Sequence, residues 1–159
     1  MSEFTTEKLS YIFIDALTDV VSKMAGLSFN VLSEEADSAF DENTAVMSLG
    51  GASNGKNHGM LFISAKEKDL RIIGSFMTGI PINEITENDI EDTLCELVNM
   101  TAGNAKLRTN SMEQIYTITP PFLLKADNLA IKTKKRINVI SRILGNDEIS
   151  VKIKVIFYT

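Results

Sequence analysis

The chain of 159 residues is 44% hydrophobic and 23% charged, enough apolar material for a packed core and too much for a disordered chain. Its Lys and Arg count of 16 against 21 Asp and Glu leaves a net charge of -5, which argues against a general affinity for nucleic acid or an anionic membrane surface. A single cysteine, Cys95, excludes an intrachain disulfide scaffold, and residues 1–159 read as one domain.

The opening residues, Met1-Ser2-Glu3-Phe4-Thr5-Thr6-Glu7, lack the basic start and apolar run of a secretory signal. No stretch approaches the roughly 18 apolar residues of a membrane span, so a soluble, cytoplasmic chain is expected. Leu9, Phe13, Leu17, Val20 and Met24 recur at helical spacing, and Gly26 ends that run. A weak strand is expected over residues 27–32. Residues 43–49 and 58–64 flank a Gly/Ser/Asn loop and predict a hairpin. Ser64-Ala65-Lys66-Glu67 has the pattern of a capping box opening a second helix, which turns Leu70, Ile73 and Met77 inward and stops at Gly79 and Pro81. A third helix is predicted over 86–108, with Asp89, Glu91 and Asp92 near its positive end and Lys106 and Arg108 near the other. Weak strands at 114–119 and 122–131 precede a second hairpin, 136–144 and 149–158, around Gly145-Asn146-Asp147. In its last strand Ile149, Val151, Ile153, Val155 and Phe157 alternate with Ser150, Lys152, Lys154, Ile156 and Tyr158, predicting one face on the helices and one partly wet. The fold class is therefore α+β, an antiparallel β-sheet with long α-helices packed on it.

Several local patterns have plain explanations. Gly50-Gly51-Ala52-Ser53-Asn54-Gly55-Lys56-Asn57 nearly spells a phosphate loop, but Asn57 stands where a magnesium-binding hydroxyl is needed. The residues that follow it read as a strand rather than a helix, so Asn54-Gly55 is taken as a hairpin turn and no nucleotide site is expected. His58 and Cys95, the only histidine and cysteine, cannot assemble a usual zinc site, and nothing around His58 favours a Ser-His-Asp triad. Lys132, Lys134, Lys135 and Arg136 suit a solvated sheet edge.

The third helix carries the chemistry. At about 100° per residue, Leu94, Leu97, Val98, Thr101 and Ala105 form one stripe with Ala102 at its edge, and Asp92, Glu96, Asn99 and Gly103 fall on a narrow opposite arc. Glu96 and Asn99 are neighbours one turn apart, and Gly103 leaves the next turn flat at a cost of about 1 kcal/mol relative to alanine. A polar outer face is also what any amphipathic helix shows. An asparagine amide is a poor acid or base, but it can orient a water with one donor and one acceptor, while a carboxylate beside it can pair with a lysine of another molecule.

The run from Glu91 to Lys106, Glu91-Asp92-Thr93-Leu94-Cys95-Glu96-Leu97-Val98-Asn99-Met100-Thr101-Ala102-Gly103-Asn104-Ala105-Lys106, resembles the signature of CheX-type chemotaxis phosphatases in the CheC/CheX/FliY group, E-x-x-N followed by M-x-x-G-N-A-K. The resemblance implies a CheC-like fold and an enzyme that dephosphorylates a phosphorylated CheY-type response regulator. It further implies Asn99 positioning the attacking water, Glu96 engaging the regulator's lysine, and Asp92 and Gly103 shaping the contact. Magnesium would reside in the regulator, so no cofactor of the chain's own is expected. A non-enzymatic CheC-like module that sequesters a regulator or flagellar switch component is the alternative. Relatives of the CheC type carry two copies of the motif; here the first helix has Asp15, Asp19 and Ser22 at the same spacing, with shorter side chains, and is expected to be inactive. A single motif fits the CheX branch, whose likeness implies homodimers formed through sheet edges.

Overall fold

A computed structural model of the chain describes residues 6–34, 39–51, 59–109, 116–131 and 137–158. The first helix, α1 (Thr6–Ala25), buries Leu9, Phe13, Leu17 and Val20 and half-buries Met24, as its periodicity predicts. It stops at Gly26, whose φ of 66° suits a residue without a Cβ. Strand β1 (Asn30–Ser33) follows, shorter and later than residues 27–32, because Phe29 turns into the core at 3% exposure.

Strands β2 (Asn43–Gly51) and β3 (Gly59–Ala65) form the first hairpin, in register from Asn43↔Ala65 to Leu49↔Gly59. Because this pairing runs to Ala65, Ser64 belongs to β3 and the expected capping box does not form: its hydroxyl accepts the Asp41 N–H at 2.6 Å instead. Helix α2 (Glu67–Thr78) begins after Lys66, which makes no side-chain cap. The first-turn N–H of Glu67 is satisfied by the Glu42 carboxylate at 2.8 Å, a partner 25 residues away. Gly79, at φ 77°, ends α2 and returns its N–H to Ser75 O.

A short 3-10 turn, Ile82–Glu84, leads into α3 (Glu87–Thr109). The reciprocal capping box of this chain sits here: Thr86 Oγ1 accepts the Asp89 N–H, and the Asp89 carboxylate accepts the Thr86 N–H and hydroxyl, both at 2.8 Å. Those bonds, the backbone one foremost, hold the Asp89 carboxyl below its usual value. Gly74 lets α2 and α3 meet closely, since a Cβ there would lie 2.7 Å from Thr93 Oγ1.

Strands β4 (Tyr116–Ile118) and β5 (Phe122–Lys125) both pair with β2. Strand β5 is less than half as long as the run 122–131, because the chain turns at Asp127 and at Asn128, where φ is 55°. Strands β6 (Ile137–Gly145) and β7 (Ser150–Tyr158) form the second hairpin. The single antiparallel sheet runs β1-β6-β7-β3-β2-β4, with β5 beside β2.

All three helices pack on one face of the sheet, over Ala45, Met47, Leu49, Leu61, Ile63, Val151, Ile153 and Val155. The far face departs from the partly wet pattern predicted for the last strand. Phe40, Val46, Phe62 and Ile156 form a second small cluster there, with Phe40 and Phe62 stacked at 5.2 Å. The Lys154 ammonium lies 4.8 Å over the Phe40 ring, and Lys154 is only 8% exposed. Of the near-phosphate loop, Gly50 and Gly51 belong to β2 and pair with β4, and a strand follows at Gly59; residues 52–58, His58 among them, and the basic residues 132, 134, 135 and 136 lie outside the described part of the chain.

Candidate functional site on helix α3

Burial along α3 divides it as the helical wheel predicts. Leu94, Leu97, Val98, Thr101, Ala102 and Ala105 are buried against the sheet and the other helices. On the opposite arc Asp92 and Asn99 are exposed, while Glu96 and Gly103 are half-buried. A Cβ at Gly103 would meet nothing within 4 Å, so no neighbouring element of the chain requires that glycine. Met100 and Leu107 extend the same face and are 40% and 74% exposed.

Acidic residues surround this face, and their pairing sorts them. Lys125 of β5 reaches Glu87 at 2.6 Å and Glu91 at 2.5 Å. Hydrogen bonding to Glu87 and then Glu91 raises the Lys125 pKa, and the same bond lowers that of Glu87. Neither Asp92, Glu96 nor Asn99 takes a side-chain hydrogen bond or an ion pair among the described residues. Cys95, half-buried beside them, has its thiol pKa pushed up by burial and then by Asp92 and Glu91, which disfavours the thiolate. Among the described residues no group of three or more His, Cys, Asp or Glu could hold a metal ion.

A cavity of about 330 Å³ adjoins the outward arc, lined by Met24 of α1, Met77 and Thr78 of α2, and Asp89, Asp92, Thr93 and Glu96 of α3. Three of these α3 residues lie on or beside the predicted arc, but the contributions of Met24, Met77 and Thr78 are invisible to local pattern. Periodicity marks both methionines as inward-facing and carries no information that they meet α3.

The related triplet on α1 is built differently. Asp15 and Ser22 are exposed, but the Asp19 carboxylate accepts from Lys23 Nζ at 2.8 Å and from Asn104 Nδ2 and Arg108 Nη2 at 3.2 Å. Hydrogen bonds from Lys23 and Asn104 lower its pKa, with smaller help from the two charges. Asn104, part of the signature run, thus ties α3 to α1 rather than facing outward.

A protein-family profile described as Chemotaxis phosphatase CheX matches residues 43–143, which span β2 through most of β6 and include all of α3. The chain belongs to the CheX family. No curated protein sequence matches it. Among solved structures, CheX from Vibrio vulnificus is similar at a TM-score of 0.81 and 20% identity, covering 94% of this chain and 99% of that one. A CheC-like superfamily protein from Shewanella sp. PV-4 gives 0.76 and 21%, covering 95% and 97%. The CheX–CheY–BeF3–Mg2+ complex of Borrelia burgdorferi gives 0.75 and 15%, covering 95% and 98%. At these identities the likeness establishes that CheX members and this chain share a CheC-like fold. Among the described residues no helix is long and apolar enough to cross a membrane.

Proposed function

We propose that this CheX-family chain is a phosphatase that dephosphorylates a phosphorylated CheY-type response regulator in bacterial chemotaxis. The observation that carries the reading is the pair Glu96 and Asn99, neighbours on the outward face of α3 whose side chains are engaged by nothing else among the described residues. The similar Borrelia burgdorferi protein was solved together with CheY, BeF3 and Mg2+, which supports a regulator as the partner.

The reaction asks little of the chain's own chemistry. Water attacks the phosphorus of the regulator's phosphoaspartate, the bond from phosphorus to the aspartate oxygen breaks, and a carboxylate and inorganic phosphate are left. The Asn99 amide accepts one hydrogen bond from that water and donates another to it, holding the oxygen in line. The Glu96 carboxylate pairs with the regulator's lysine and fixes the register of the two molecules. Asp92 and the flat turn at Gly103 shape the contact. Magnesium belongs to the regulator, where it offsets charge on the phosphoryl oxygens. A hundredfold acceleration corresponds to about 2.7 kcal/mol, within the range of one well-placed hydrogen-bonding group.

The test is phosphate release from a phosphorylated CheY-type regulator with wild type, Asn99→Ala and Glu96→Ala side by side. Acceleration by wild type that is lost in both variants supports the enzyme and its site together. Binding without acceleration overturns the phosphatase for that regulator and leaves a sequestering module.

A further inference from the structure

We infer that Lys125 is a positioning residue for the proposed reaction: by gripping Glu87 and Glu91 from strand β5, it sets the roll of α3 and with it the aim of the Asn99 amide. The inference rests on the phosphatase reading for the reaction, while the tie itself belongs to the chain alone.

Glu87, Glu91, Cys95 and Asn99 follow one another at intervals of four residues and form one row along the helix. Lys125 holds the first two members of that row, at 2.6 and 2.5 Å, and Asn99 is the fourth. Thr93, set against Gly74 of α2, lies about 160° around the helix from Glu91. At this level α3 is held between a close approach on its α2 flank and the Lys125 tie on its β5 flank. The two flanks differ in stiffness. On the α2 side both Gly74 and Thr93 are buried. On the β5 side the Glu87 and Glu91 side chains are 77% and 31% exposed, so burial alone does not fix them. Without the lysine these two carboxylates, one turn apart, repel each other. Bonds to Glu87 and then Glu91 raise the Lys125 pKa, so the cation persists at neutral pH. The strand that carries it is anchored in turn, since all four residues of β5 pair with β2, from Phe122↔Val46 to Lys125↔Asn43.

The proposed chemistry makes that roll matter. An amide carried about 5–6 Å from the helix axis moves about 1 Å for a roll of about 10°. A misplacement of about 1 Å in a group that orients a reactant can cost about 100-fold in rate. Affinity is less sensitive to the same motion, because Glu96 pairs with a lysine whose flexible stem follows small shifts. Loss of the tie is therefore a loss of rate before it is a loss of binding.

The experiment compares wild type, Lys125→Met and Lys125→Arg as full chains. Cα–Hα residual dipolar couplings over residues 91–103, measured by NMR against those of the sheet, read the roll of α3 with no regulator present. They should change in Lys125→Met and match wild type in Lys125→Arg. Tm should fall by no more than about 3 °C in either, the scale of a surface ion pair. In turnover of a phosphorylated CheY-type regulator, Lys125→Met should lower kcat about five- to tenfold with KM within about twofold of wild type, and Lys125→Arg should restore kcat. In an Asn99→Ala background Lys125→Met should cost nothing further, because it acts through that amide. Unchanged couplings, an unchanged kcat, or an added loss in the Asn99→Ala background overturns the inference and leaves the phosphatase standing. Changed couplings with no phosphate release by wild type from any regulator overturn the phosphatase and keep Lys125 as the residue that sets the roll of α3.

Discussion

Helices α1 and α3 carry the same spacing of an acid, a second acid and a polar residue, and the fold treats the two triplets in opposite ways. On α3 the second acid, Glu96, and the amide of Asn99 face outward and meet no partner among the described residues. On α1 the second acid, Asp19, is consumed by Lys23, Asn104 and Arg108, and the third position is a serine. Spacing places side chains on one arc of a helix; whether they stay available depends on what the neighbouring helix supplies. Here α3 supplies two of the three groups that occupy the α1 acid, while its own Glu96 is left without a side-chain partner among the described residues.

The sharpest way to break this contrast is to remove the two third-position groups. Asn99→Ala should slow phosphate release by about 100-fold with regulator affinity nearly intact, whereas Ser22→Ala should change neither; single-turnover assays and a binding titration separate the two. An equal loss in both variants would place chemistry on α1. Next in size is Glu96→Ala, expected to weaken regulator binding by at least tenfold, since a charge-assisted bond contributes about 1.5–3 kcal/mol. Isothermal titration against a beryllofluoride-activated regulator reads this directly.

Gly103→Ala should move stability and function in opposite directions. The helix gains about 1 kcal/mol, or about 2–4 °C in Tm for a chain of this size, while regulator affinity falls because the flat turn is filled. Tm rising with affinity unchanged would remove Gly103 from the contact. The smallest effect belongs to Asp19. Its folded pKa lies below 3.8, so its ion pairs contribute fully above that value and are lost as pH falls through the lower, folded one. The Tm gap between wild type and Asp19→Asn should therefore be present at neutral pH and close below pH 3.8, with phosphate release by the variant preserved.

Much of this arrangement is legible in the sequence, and the failures have physical reasons. Both hairpins, the three helices and the buried stripe of α3 follow from periodicity, because burial on one face imposes that periodicity. The Ser64 cap fails because S-x-x-E is a local pattern and strand pairing through Ala65 is not. The same kind of pattern at Thr86-Glu87-Asn88-Asp89 does form a cap, since no strand competes for it. The far-face cluster is hidden because alternation in β7 cannot tell that Phe40, over a hundred residues earlier, covers Ile156. In the site, Glu96 and Asn99 are readable from one helix alone, whereas the cavity beside them needs Met24, Met77 and Thr78 from two others.

Gly74 adds a consequence for divergence within such proteins. A methyl group at that position would collide with Thr93, so α2 would have to back away from α3. Met77 and Thr78, one turn further along α2, would travel with it and widen the cavity. A one-base codon change from glycine to alanine, at a residue that is not itself part of the lining, would thus re-gauge the opening.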